Sequence, residues 1–429
     1  MAEFQSTSKK GGIALLAICA LAFFGTFIAC RKPPPDEAVY TGRKTTTTPV
    51  PVPTTTGTVP PDPDTGVPFT KAGLLTAIAD CAVEHFADVE AKVRALRDAA
   101  HTFETDRTDA KASAAKTAWL DAMASFEEAE VFRFGPGGNP PLPGAKSFRD
   151  SLYAWPHQNR CKVDEQIVAK TYAAPNFATT LVTGRGLAAL EYLIFYGGND
   201  NGCSSLSALN SQGTWAAVSP LELSIRKAAY AAVASDDALA TATSLSNAWL
   251  KTAGNFHAQL ATAGAGSVVY ATQQDAFNSI NDGLFYVEIE VKDLKVGRPA
   301  GIFECENATC PDAVESPYAR ASTAHIHNNL VGFRKMLQGC GKDYGGLGFD
   351  DWLRDVGAGD LADRMLSATV ASQSAIDALN PPLEQALVTD IAKVQSLHAT
   401  LRGITDPLKT EFVTVLNLEL PKTAEGDND

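Results

Sequence analysis

An excess of basic residues is missing: 36 Lys and Arg stand against 49 Asp and Glu, for a net charge of −13. A balance of that sign argues against general binding to nucleic acid or to anionic membrane, both of which favour basic surfaces. Cysteine is sparse, and eight in 429 residues are too few for a small disulfide scaffold. No paired Cys-x-x-Cys or His spacing supports a structural zinc site. Gly-x-Ser-x-Gly, phosphate-loop and dinucleotide fingerprints are all absent. Alternating β-branched runs are scarce, which argues against a sheet protein. Long apolar runs are missing too, except for one near the N-terminus. What is present is an ordinary globular balance, 45% apolar and 20% charged, and length for two or three domains.

The single apolar run, Ile13 to Ala29, follows Lys9 and Lys10 and has the form of a secretory signal. It ends Thr26-Phe27-Ile28-Ala29-Cys30, and small residues before a Cys resemble a lipobox, with Cys30 acylated. An uncleaved anchor is the competing reading, since the run is about one membrane span long. Residues 31–66 hold Pro-Pro-Pro, Thr-Thr-Thr-Thr-Pro and Pro-Asp-Pro-Asp, a composition that cannot pack a core and is expected to form a disordered tether. The expected divisions are therefore a signal at 1–29, a tether at 30–66, and helical domains at 67–215 and 216–429. Six cysteines, Cys81, Cys161, Cys203, Cys305, Cys310 and Cys340, follow the tether. They allow fifteen pairings, of which Cys305–Cys310 is the nearest local pair.

Apolar residues from 67 onward recur mostly at spacings of three and four, which predicts an all-α fold. Helices are expected at about 71–101, 110–133, 184–196, 218–264, 268–293, 317–338, 359–378 and 382–403, separated by Gly- and Pro-rich breaks. Ala118-Trp119-Leu120 recurs as Ala248-Trp249-Leu250, a trace of duplication that core packing explains equally well.

Three carboxylates fall in unexpected places. Glu130 continues the stripe Trp119, Met123, Phe126, so it points inward and needs a partner: Arg133, a neighbouring helix, or a ligand. Glu191 is the only charge in Gly186–Phe195, a helix apolar on every face. A carboxylate buried there has a raised pKa or a partner, with Arg133, Arg185, Arg320 or a metal ion as candidates. Glu315 precedes Ser316-Pro317, which reads as an N-cap and a first helical residue. Among the histidines, His101 suits an exposed helix end and His85 suits either surface or core. His325 and His327, two apart, point from different helix faces.

Taken in order, Ala118-Trp119-Leu120, Glu130-Val131-Phe132-Arg133-Phe134-Gly135-Pro136, Ala154-Trp155-Pro156, the Gly186–Phe195 helix, Val314-Glu315-Ser316-Pro317-Tyr318 and the acidic end at Gly426-Asp427-Asn428-Asp429 resemble the imelysin family. The resemblance covers about residues 70 to 429. It implies two related helical-bundle domains with a site between them, in proteins that are secreted, periplasmic or lipid-anchored. Some members are described as metallopeptidases, and others are tied to iron uptake. The family's Gly-x-His-x-x-Glu reads Gly186-Leu187-Ala188-Ala189-Leu190-Glu191 here. Ala188 supplies no lone pair, so an imidazole is lost and zinc-type peptidase chemistry is disfavoured.

The expectation is a lipid-anchored envelope protein, possessing an interdomain cleft rimmed by Glu130, Arg133, Trp155, Glu191, Glu315 and Tyr318. That cleft would take a small ligand or a cation such as iron or calcium. Partners would be the membrane through Cys30 and an envelope ligand or protein, not nucleic acid. Two alternatives stand beside it. One is a hydrolase with Glu191 as general base and a second ligand such as His325. The other is a degenerate scaffold in which Glu191 only pairs with an Arg and a partner protein binds the surface.

Overall fold

In the computed structural model, residues 68–424 are described. The expected signal, the lipidated Cys30, the tether and the acidic C-terminal residues lie outside the described residues. No described helix is long and apolar enough to cross a membrane.

The described residues form helices and no strand. In chain order they are α1 Lys71–Thr105, α2 Asp109–Ala129, α3 Phe148–Leu152, α4 Arg160–Ala169, α5 Gly186–Phe195, α6 Ala208–Ser211, α7 Pro220–Trp249, α8 Phe256–Ala261 and α9 Gln273–Leu284. A π-helix at Val287–Gly297 follows, then α10 Ser322–Gln338, α11 Phe349–Asp355, α12 Gly359–Asp377, α13 Leu383–Thr389 and α14 Ile391–Pro407. Local chemistry sets several of the starts. The Thr70 hydroxyl accepts from the Gly73 N–H to cap α1. Ser219 caps α7, with Pro220 in the first turn, and Thr272 and Asp275 make a reciprocal capping box on α9.

Periodicity located the long helices but not their interruptions. The helix expected at 218–264 stops at Trp249 and resumes at Phe256, and the one expected at 382–403 breaks at Asp390. The stretch 268–293 turns into the π-helix after Leu284. The helix expected from Pro317 starts instead at Ser322. Arg320 sits in the left-handed region at φ 58°, which no helix continues through.

α1 packs on α2 and α7, and α7 on α5, so α7, beginning after residue 215, lies with the N-terminal helices. α12 packs on α10 and α14, and α14 on the π-helix. α10 joins the two groups by packing on α2. Gly332 permits that approach: a Cβ there would lie 2.2 Å from the Glu128 carbonyl oxygen. Both repeated tryptophans, Trp119 and Trp249, are fully buried. The Trp119 indole donates to the Leu187 carbonyl at 2.9 Å, which ties α2 to α5. Disulfides join Cys81 to Cys340, Cys161 to Cys203, and Cys305 to Cys310.

Candidate functional site

α2, the π-helix, the 315–319 turn and α10 meet at a buried cluster of charges. α10 presents His325 and Asn329, four apart on one face. α2 presents Glu127, the π-helix Lys295, and the turn Glu315. The side chains of Glu127, Glu315 and Lys295 are completely buried, and His325 is 2% exposed. The Lys295 ammonium donates to Glu127 Oε2 at 2.6 Å and Asn329 Oδ1 at 2.8 Å, and lies 2.9 Å from Glu315 Oε1. Asn329 Nδ2 also donates to Glu127 Oε2, at 2.7 Å, and the Tyr153 hydroxyl to Glu315 Oε1, at 3.0 Å.

The outer carboxylate oxygens are thus fully engaged, while the inner ones are not. Glu127 Oε1 and Glu315 Oε2 have no hydrogen-bond partner, and neither does His325 Nδ1. These three atoms face one another: His325 Nδ1 lies 3.4 Å from Glu127 Oε1 and 3.2 Å from Glu315 Oε2. Buried polar atoms normally find partners, so three such atoms converging form a ready-made ligand set. A cation about 2.0–2.2 Å from each nitrogen and oxygen ligand would hold those ligands about 3.0–3.5 Å apart; both His325 spacings fit, and the three ligand atoms all lie within 4.8 Å of one another.

The electrostatics separate the two acids. Burial, and then the field of Glu315, push the Glu127 carboxyl up to about 7. Burial would raise Glu315 as well, but Lys295 and His325 draw it down to about 2. His325 would be lowered by burial, yet Glu315 and Glu127 hold it above its ordinary value. Without a cation, the trio is therefore a proton-holding site.

Beside it, Glu130 is paired with Arg149 rather than with Arg133. Two hydrogen bonds, at 2.7 and 2.9 Å, join the fork to the carboxylate. Burial opposes ionisation of Glu130, but Arg149 overcomes it and lowers the carboxyl. Arg133 pairs with Glu290 and lies over the Tyr286 ring. Trp155 is buried. Its carbonyl accepts from Arg149 at 3.2 Å, and its ring lies 5.6 Å from the Lys295 ammonium.

Glu191 stands apart from this trio and pairs with no Arg, His or metal-ligand group. Its Oε1 accepts from the Ser316 hydroxyl at 2.8 Å, the Tyr318 N–H at 3.0 Å and the Ala319 N–H at 2.8 Å. Burial outweighs these bonds and raises the carboxyl to about 7. Ser316 is therefore no helix cap; it anchors the 315–319 turn on Glu191. Of the three expected arginines, Arg185 pairs with Asp237. Tyr318 packs its ring on Tyr192 and Tyr196. His325, the ligand suggested for a Glu191-centred hydrolase, faces Glu127 and Glu315 instead. Among the described residues, no group of three or more ligand-type residues joins Glu191 to an imidazole.

Sequence reasoning missed Glu127, Arg149, Lys295 and Asn329. For Glu127 a signal existed, since it lies four residues after Met123 and eight after Trp119, on the same stripe. Two other groupings of ligand-type residues, Cys81–His85–Cys340 and Cys161–Glu165–Cys203, have their thiols consumed in disulfides.

The imelysin family model, peptidase M75, matches residues 82–410. Over 338 residues the chain is 24% identical to the iron-regulated protein A of Synechococcus elongatus, spanning 78% of this chain and 83% of that protein. An imelysin-like protein from Psychrobacter arcticum superposes with a TM-score of 0.60 at 18% identity, covering 82% of this chain and 96% of that one. An iron-regulated protein A precursor from Parabacteroides distasonis gives a TM-score of 0.60 at 19% identity, covering 81% and 97%. The two structures share the fold of this chain.

Proposed function

The chain belongs to the imelysin family, and from that premise we propose that it is an envelope protein that binds a transition-metal cation of the iron class at Glu127, Glu315 and His325. One observation carries the reading: three buried ligand atoms, with no hydrogen-bond partner outside the trio, lie within 3.2–3.4 Å along the two His325 contacts. One nitrogen and two carboxylate oxygens suit iron or manganese better than calcium, which prefers oxygen alone. Lys295 neutralises part of the carboxylate charge and fixes both acids in place. The relative named for iron regulation supports iron as the physiological ion, and the signal-like N-terminus with Cys30 supports lipid anchoring at the cell envelope.

The test is calorimetry of the purified full-length protein with ferrous iron under anaerobic conditions, manganese, zinc and calcium, together with elemental analysis of the protein as isolated. One iron-class ion per chain is expected, weakened at least tenfold by His325→Gln and left in place by Glu191→Gln. Absence of transition-metal binding, or binding indifferent to His325→Gln, would sink the reading.

A further inference from the structure

Glu127, Glu315 and His325 are all buried, so an ion can reach them only if part of the surrounding wall moves. Resting on the reading of that trio as a metal centre, we propose that the 315–319 turn is the gate through which the ion enters and leaves, and that Glu191 is the latch that holds it shut. Four elements bring side chains to the cluster, and three of them are poorly placed to move. α2 packs on α1 and α10, α10 also on α12, and the π-helix on α14, so shifting any of them breaks a close-packed helix contact. The turn is different. Within two residues it runs from the fully buried side chain of Glu315 to the exposed Pro317, and Arg320 is exposed again. One ligand of the centre therefore rides on an irregular segment that reaches solvent beside it.

The attachments of residues 316–319 converge on α5, which supplies no member of the trio. Glu191 Oε1 alone accepts from the Ser316 hydroxyl and from the Tyr318 and Ala319 N–H groups, at 2.8, 3.0 and 2.8 Å. The half-buried Tyr318 ring leans on Tyr192 of α5 and on Tyr196 just past its end, with centroids 5.2 and 5.3 Å apart. These contacts hold the turn against a backbone preference, because Arg320 sits at φ 58°, a region that strains a residue carrying a Cβ. Releasing Glu191 would let the turn swing while α2, α10 and the π-helix keep their packing. A gate that is closed nearly all the time sets how fast an ion crosses, not how tightly the closed site holds it. Loosening the latch raises entry and exit rates by the same factor and leaves the affinity nearly unchanged. A lost ligand, by contrast, speeds exit and weakens binding.

The experiment has two arms, both on the full-length protein. In the first, without metal, diethyl pyrocarbonate modifies the histidines and mass spectrometry follows His325. His257 on α8 and His398 on α14, also buried, are the references. Glu191→Leu, which offers the turn no acceptor, and Tyr318→Ala should each speed modification of His325 by about fivefold or more and leave the references at the native rate. Glu191→Gln keeps the acceptor and should behave as the native protein. In the second arm, stopped-flow mixing with manganese is read by tryptophan fluorescence, since the Trp119 ring lies 5.8 Å from His325. Association and dissociation should accelerate together in Glu191→Leu, with the dissociation constant changed by less than about threefold. Circular dichroism and thermal melting establish that each variant is folded, and Tyr318→Ala carries both arms if Glu191→Leu does not fold. The gate is overturned if modification of His325 ignores both opening variants, if the reference histidines speed up with it, or if affinity falls with no gain in entry rate. Should no metal bind, the metal reading fails by itself, and the histidine arm still decides whether the turn is the way in.

Discussion

At the scale of single residues, burial sets the behaviour of Glu191, and its consequence is a pH dependence. The folded carboxyl titrates at about 7 against an ordinary 4.5. Below about pH 4.5 the acid is protonated in both the folded and unfolded chains and contributes no difference. Between 4.5 and 7 the folded chain holds a proton that the unfolded chain has released, so stability falls as pH rises. Above 7 the full cost persists, about 3 kcal/mol for a shift of this size. Glu191→Gln keeps an acceptor for Ser316, Tyr318 and Ala319 but cannot ionise. Urea unfolding at pH 4.5 and pH 8 should show the variant gaining on the native protein by up to about 3 kcal/mol at the higher pH. A constant difference would mean that Glu191 is not the buried acid described. Glu191 was legible because an apolar helix with one charge leaves no exposed face for it. Its partners were not legible, because they are backbone N–H groups and a hydroxyl from a turn more than a hundred residues away, and neither carries a sequence signature.

At the scale of elements, the site depends on how closely α10 approaches α2. Gly332 lies against the Glu128 carbonyl, one residue from Glu127, and His325 sits two turns earlier on the same helix. Gly332→Ala would push the helices apart or strain them, at a cost of about 1–3 kcal/mol, and would draw His325 away from Glu127. Chemical denaturation should report the loss of stability, and metal titration a weaker centre; a variant as stable as the native protein would show that the contact is slack. The long helices were readable because an amphipathic stripe repeats at 3.6 residues whatever the helix packs against. The π-helix was not. Its i→i+5 turn changes which positions share a face, so Glu288, Lys292 and Lys295, which look solvent-exposed in Val-Glu-Ile-Glu-Val-Lys-Asp-Leu-Lys, are all buried. That is why the cation at the centre of the site escaped notice. Arg149 escaped for a different reason: α3 is five residues long, too short to show a period.

At the scale of the whole molecule, two helix groups meet at α10. We propose that they are two bundles, divided differently from the expected 67–215 and 216–429, since α7 packs with α1. The Cys81–Cys340 bond spans 259 positions and ties α1, in the first group, to the end of α10, in the second. A cross-link of that span stabilises by restricting the unfolded chain, by about 2–5 kcal/mol. The Cys305–Cys310 bond closes a separation of only 5 and restricts far less. Replacing Cys81 and Cys340 together by Ser should therefore lower the melting temperature much more than replacing Cys305 and Cys310; equal losses would contradict the ranking. The same bond also has a mechanical meaning. Cys81 lies in the first third of α1, beyond the expected anchor at Cys30 and the tether expected at 30–66. Drag on an anchored molecule would enter at α1 and pass through one covalent link to the end of α10. The helices between those two cysteines, including most of those that build the proposed metal centre, would be shunted out of the load path. With the bond reduced, the same pull would peel α1 from α7.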